Sequence, residues 1–378
     1  MLTIRAFSIA AAIALSFLAE VGAAESSTRI HLEIPDASQP QLAVGNDGRV
    51  WLAYGKATEL FVARSDDGGK TFAEAVKVAS APKLMLGKRR GPRIVAQGDL
   101  VTLTAVADEL LAFRSIDGGR TWSTRVTIND VATSAREGLH DLALAPDGKL
   151  FVTWLDLRNA STQLWGAEST DAGKSWTKNQ LVYRSSDKSI CECCHPSALF
   201  DREGNLAVMW RNSVSGSRDL WMATRQKGAP QFSSGKKLGT GTWTLDACPM
   251  DGGRIIALGE GKFASVWQRS GEVYYAEQEK PEMRLGKGKQ PVAVRQGAET
   301  IVVWQSEADL VSTKLLRGTT ALQHRAAGGR FPVAVSLGDN RSVLLAYERS
   351  LDVMPTEHGA SAHTHLDAKQ PGAATGSA

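Results

Sequence analysis

Residues Ser115 to Trp122 read S-I-D-G-G-R-T-W, and the fold is decided by what recurs of them. The same figure stands at Ser65 to Phe72 (S-D-D-G-G-K-T-F) and at Ser169 to Trp176 (S-T-D-A-G-K-S-W). The shared pattern is S-x-D-x-G-x-[ST]-[WF], at intervals of roughly 50 residues, a period that marks a solenoid or propeller. Chemically the octet is a tight hairpin turn. Asp67, Asp117 and Asp171 can each accept bonds from backbone N–H groups just beyond them. Gly69, Gly119 and Gly173 can take positive φ. Phe72, Trp122 and Trp176 supply apolar area to a neighbouring sheet.

This octet resembles the Asp-box, or BNR repeat, of the sialidase-like β-propellers. The resemblance implies an all-β fold, a β-propeller of four-stranded blades. It implies little about activity, since Asp-boxes occur in many propellers that hydrolyse nothing.

Outward from the octets, each repeat opens with a short strand, turns at Gly or Asp-Gly, and returns in an apolar strand ending in an aromatic. Openings begin at Gln39, Gly91, His140, His195, Cys248, Gln290 and Phe331, which makes seven. The second strands end at Tyr54, Val106, Trp154, Trp210, Trp267, Trp304 and Tyr347. Six repeats look complete, the last three of them without the octet, and the seventh shows only two clear strands. The alternating stretch Arg29 to Ile34 is the candidate to complete it and close the ring. Sialidases themselves have six blades, so six with extra strands is the alternative to seven.

The ends read differently. Arg5, the apolar run Ala6 to Ala19 and the small residues Val21 to Ala24 make a secretory signal over 1–24. An N-terminal membrane anchor is the competing reading, but the run is short and Glu20 follows it. No later stretch is long and apolar enough to span a bilayer. The expected organisation is therefore signal peptide 1–24, propeller 28–350 and a disordered His-containing tail 351–378, in a periplasmic or secreted protein. In the tail, His358, His363 and His365 read as solvated residues or as a transient metal trap. The net charge of the 378-residue chain is +4, with Lys88-Arg89-Arg90 the one basic cluster, which gives no footprint for nucleic acid.

Propeller topology puts strand openings at one rim and the octets at the other. At the opening rim stand Cys191, Cys193 and Cys194 (C-E-C-C), then His195, with His140 opening the preceding repeat and Cys248 and Met250 the following one. Thiolate, imidazole and thioether form a soft donor set that suits a copper ion, as Cu(I), and less selectively zinc. Three readings stay open. The cysteines of an exported chain pair as disulfides, Cys248 with one of the trio, although a bond inside C-x-C-C strains its geometry. They bind a metal or do redox chemistry. Or Cys191 to His195, which formally satisfies C-x-x-C-H, carries c-type haem. A similar C-x-C-C without the histidine occurs in exported sialidase-like proteins, and that resemblance points away from haem.

Sialidase chemistry is poorly represented. The family places three arginines on the substrate carboxylate, with a Tyr–Glu nucleophile pair and an Asp acid, and its first arginine lies at the first opening. Here that opening is Ser38-Gln39-Pro40-Gln41. Arg93, Arg211 and Arg349, the pair Tyr347 and Glu348, and Asp156 are the candidates, each with an ordinary loop ion pair as the plainer reading. The expectation is a soft-metal-binding propeller whose partner is a metal ion or small ligand at the channel mouth. The alternatives are an exo-α-sialidase-type hydrolase and a non-catalytic propeller that binds another exported protein and is stapled by disulfides.

Overall fold

The computed structural model describes residues 11–19, 29–307, 309–316, 319–338 and 342–350. They form seven four-stranded antiparallel sheets. The inner strands are Ser38–Val44, Arg93–Gln97, His140–Leu144, Ser197–Phe200, Arg254–Gly259, Lys289–Gln296 and Gly329–Ser336. In the first six blades the sheet order follows the chain order.

The core is not one mass. Seven of the apolar clusters each join two neighbouring blades, and together they run round the ring. The residue that ends each second strand, aromatic in every blade but the second, sits in such a seam; Trp154, Trp210 and Trp267 are almost wholly buried. A strand covered on both faces by adjacent blades reads as a near-continuous apolar run, which is the burial seen in Val50–Lys56 and Leu150–Asp156.

The octets turn third strands into fourth strands. In each, the Ser hydroxyl bonds the Asp carboxylate and accepts the N–H of the Gly four positions on: Ser115 Oγ lies 2.8 Å from Asp117 Oδ1 and 2.8 Å from Gly119 N. Thr121 donates its N–H to Asp117 Oδ1 (2.9 Å) and its hydroxyl to Oδ2 (2.6 Å). The copies at Asp67 and Asp171 repeat this geometry. The hydrogen bonds from Thr71 and Thr121 hold the Asp67 and Asp117 carboxyls well below the usual range. Gly119, at φ 78°, abuts Trp51, and a Cβ there would lie 2.6 Å from the indole. The closing aromatics Phe72, Trp122 and Trp176 pack on the seams with the preceding blade.

The seventh blade differs from expectation. Its order is Gly329–Ser336, Ser342–Ser350, Ala11–Ala19, Arg29–Pro35. Arg29–Pro35 does help complete it, as the outer strand. The third strand is Ala11–Ala19, paired along its length with Ser342–Ser350. Ile13 and Leu15 are buried in the seam with blade one. The apolar run read as part of an export signal thus also fits a blade interior, because a short apolar segment satisfies either requirement, and the propeller reaches back past residue 28. The tail 351–378, with its three histidines, lies outside the described residues.

Candidate metal centre at the upper rim

Blade four begins after a loop that carries the cysteines. Ile190 N–H donates to Thr162 O (2.9 Å) and Cys191 N–H to Arg211 O (3.0 Å). These bonds lay the loop across the upper ends of blades three and four. Cys191 and Cys194 are 1% exposed and Cys193 7%, and none is in a disulfide. Cys191 Sγ is 3.5 Å from Cys194 Sγ and 3.7 Å from Cys193 Sγ, and all three sulfurs lie within 4.8 Å of one another. The Met250 side chain packs against them.

Those separations suit a shared metal. A metal–sulfur bond of about 2.3 Å places tetrahedral sulfurs ~3.8 Å apart and trigonal ones ~4.0 Å apart. A disulfide would need about 2.05 Å. Hydrogen bonding with Cys193 and Cys194 lowers the Cys191 thiol, and Arg211 adds to the effect. Cys193 is raised by its bonds to the other two, while burial pushes Cys194 up to about 12. Arg211 and the shared hydrogen bonds thus favour ionisation at Cys191, and a metal would displace protons from the trio.

The buried Arg211 guanidinium is held by the carbonyls of Asp251 (3.0 Å), Arg218 (2.6 Å) and Gln268 (2.8 Å). Its N–H groups are taken by carbonyl oxygens, and its charge acts both on the buried Asp251 carboxylate and on the Cys191 and Cys194 thiols. Held in this way, the guanidinium is buried and turned to backbone carbonyls.

The other expected ligands do not join the trio. His195 accepts Gly252 N–H at Nδ1 (3.2 Å), and its Nε2 lies 3.2 Å from Gly253 O, so both ring nitrogens are engaged. A Cβ at position 252 would overlap the His195 carbonyl, so only glycine lets the two loops approach this closely. Burial, with Arg89, Arg93 and Arg254 nearby, drives the His195 pKa well below 6.5. His140 Nε2 meets Thr104 Oγ1 at 3.0 Å, and burial lowers that imidazole to about 3. The two histidines clasp adjacent blades as neutral rings. Cys248 is exposed. Blade five begins only at Arg254, so Cys248 lies in the loop before it rather than at an inner strand. The arrangement does not fit a c-type haem either, because the two sulfurs needed, Cys191 and Cys194, face each other and the axial His195 is engaged.

The hydrolase candidates are scattered. Arg93 is buried and bonds the carbonyls of Arg89 (2.8 Å) and Pro92 (2.9 Å), with Asp141 at 3.4 Å. Arg349 pairs with Glu33 at 3.2 Å. Tyr347 is buried in the seam between blades six and seven. Glu348 accepts both the N–H and the side-chain amide of Gln39 (2.8 and 2.7 Å). Asp156, fully buried, takes the Trp154 indole N–H and the Arg158 guanidinium. No open arginine cluster is assembled from them.

Sequence reasoning missed what closes this rim. Arg89, from the basic triplet, reaches across to blades six and seven, donating to Gln290 Oε1 (2.7 Å), Gln290 O (3.0 Å) and Pro332 O (2.8 Å). Arg254 of blade five pairs with Asp141 of blade three at 3.0 Å. Asp251 accepts Gln290 N–H (2.5 Å). The one visible signal was the isolated run Lys88-Arg89-Arg90 itself. Beside this web lies a cavity of about 490 Å³, with Met250 in its wall.

No protein-family model matches the chain, and no curated protein matches it. Solved structures do. A protein of unknown function from Dyadobacter fermentans is 15% identical with a TM-score of 0.50, covering 83% of this chain and 95% of its own. An ulvan lyase of a polysaccharide-lyase family is 9% identical with a TM-score of 0.50, covering 78% and 84%. The NanB sialidase of Streptococcus pneumoniae is 12% identical with a TM-score of 0.45, covering 84% and 68%. At such identities the likeness is one of fold, the β-propeller, alone.

Proposed function

We propose that this chain is an exported propeller that binds one soft metal ion, Cu(I) in preference to Zn(II), through Cys191, Cys193 and Cys194. The observation that carries the reading is three free, buried thiols whose sulfurs lie within 4.8 Å of one another. Thiolates select Cu(I) by softness, and the Met250 thioether packed on them offers a fourth soft donor. A Cu(I) with three thiolates is anionic, and buried Arg211 offsets part of that charge. The histidines keep their roles as clasps. Export rests on Arg5 and the apolar run behind it, and cleavage after Ala24 would take the strand Ala11–Ala19 out of blade seven. The hydrolase alternative loses support because Arg93, Arg211 and Arg349 are each engaged elsewhere.

The test is anaerobic titration of the reduced full chain with Cu(I). One equivalent should bind, with sulfur-to-metal absorption in the near ultraviolet, and affinity should rise with pH as thiols lose protons. Cys193→Ser should weaken binding at least about tenfold, and a chain lacking 351–378 should bind as the full chain does. Retention of the bound copper by a variant with all three cysteines changed to serine would refute the assignment.

A further inference from the structure

The cavity beside the thiols has a charge that bears on how a metal reaches them. It is walled by Met250 and Phe331 and rimmed by Lys88, Lys289 and Arg330, with Glu307 as its carboxylate. The three cations come from separate stretches of chain, are exposed, and have no ion-pair partner among the described residues. Met250 is shared: one wall of the cavity is the residue that packs on the cysteine sulfurs. Three positive charges against one negative, lining one cavity of about 490 Å³, repel an unaccompanied cation and attract an anion, most strongly at low salt. Phe331 and Met250 give such a visitor an apolar surface for its carbon frame.

We infer that the metal arrives here as a small anionic complex, docked in this cavity by Lys88, Lys289 and Arg330, and passes to the cysteines by ligand exchange at Met250. This rests on the soft-metal reading above. In the exchange, Cu(I) keeps its oxidation state. Bonds from copper to the carrier's donor atoms break as copper–sulfur bonds to Cys191, Cys193 and Cys194 form. The thiol protons leave to solvent or to the released carrier.

Two coloured donors of similar size separate the cases: the trianionic bis(bicinchoninate) complex of Cu(I) and the monocationic bis(neocuproine) complex. Transfer to the reduced full chain is followed by stopped-flow loss of donor absorbance at low and physiological salt. The double variant Lys289→Glu/Arg330→Glu should slow transfer from the trianion about tenfold or more, speed it from the cation, and leave the final copper content at one equivalent. Salt should weaken both effects. Lys262→Glu, at an exposed position on the opposite rim, should change neither rate. Unchanged rates in the double variant, with copper still bound, would overturn this inference alone. Absence of bound copper at the end point in the unmodified chain would overturn it together with the reading it rests on.

Discussion

The two rims of the propeller differ in the reach of their bonds. At the lower rim the carboxylate of each octet is held from within, Asp117 by residues two to four positions away, and further bonds come at repeat spacing from the blade before, such as Arg64 to Gly118 O (3.2 Å) and Thr102 to Ala172 O (2.9 Å). At the upper rim the bonds span the chain: Arg89 to Gln290 over 201 residues, Arg254 to Asp141 over 113, Gln39 to Glu348 over 309. Local bonds can be copied blade by blade, so the lower rim repeats. Long-range bonds tie unlike partners once each, so the upper rim is unique, and the thiols lie there. The difference teaches where to look for function in a repeat protein: at the face whose interactions do not recur.

The largest effect should follow from breaking the upper web. Arg89→Ala leaves two carbonyls and an amide oxygen unpaired in a buried site, and should cost about 3–5 kcal/mol by denaturant unfolding. Arg89→Lys should recover only part, because an ammonium cannot reproduce the planar fork. A loss below about 1 kcal/mol would mean the web is not holding the mouth. Next is the closure of the ring. Leu15→Ala in the full chain should cost about 3 kcal/mol, the scale of a buried leucine truncation, while an exposed substitution in the same purified chain should not. An unchanged midpoint would show that Ala11–Ala19 does not sit in blade seven.

The clasps make a sharper, pH-dependent test. His140 and His195 have folded pKa values below the unfolded value of about 6.5. Their stabilisation is complete above that value and is lost as pH falls toward their folded pKa values. Each should steepen the loss by up to about 1.4 kcal/mol per pH unit. His140→Asn should flatten the profile between about pH 6 and 4 relative to the parent chain; a parallel profile would contradict a neutral buried ring. The smallest effect belongs to the lower rim. Asp67 and Asp117 are solvent-facing carboxylates with lowered pKa values, so their contribution is present above about pH 4 and fades only in stronger acid. Asp117→Ala should lower the thermal midpoint slightly at pH 7 and by progressively less as pH falls below about 4, leaving copper loading untouched. A large loss, or a loss of copper binding, would break the separation of the rims.

Much of the fold was legible because its causes are local. S-x-D-x-G-x-[ST]-[WF] encodes its own turn, alternating apolar residues encode strands, and three octets at one spacing encode a ring of blades. C-E-C-C likewise places three sulfurs together with no help from elsewhere, since residues that close in sequence cannot be far apart in space. That is why the meeting of Cys191, Cys193 and Cys194 could be read from the sequence and why the placement of their neighbours could not. Standing at a strand opening says which rim His140, His195 and Cys248 occupy, not which way their side chains turn. Only the assembled ring showed that Gly252 and Gly253 take both nitrogens of His195, that Arg211 lies beside the sulfurs, and that Arg89 crosses the mouth. Each of these depends on partners 40 to 201 residues distant, and pairing across such distances is set by how blades close around an axis. Repetition and short-range chemistry were written in the sequence; the charge and access of the candidate site came from tertiary contacts, because electrostatics is decided by what is near in space.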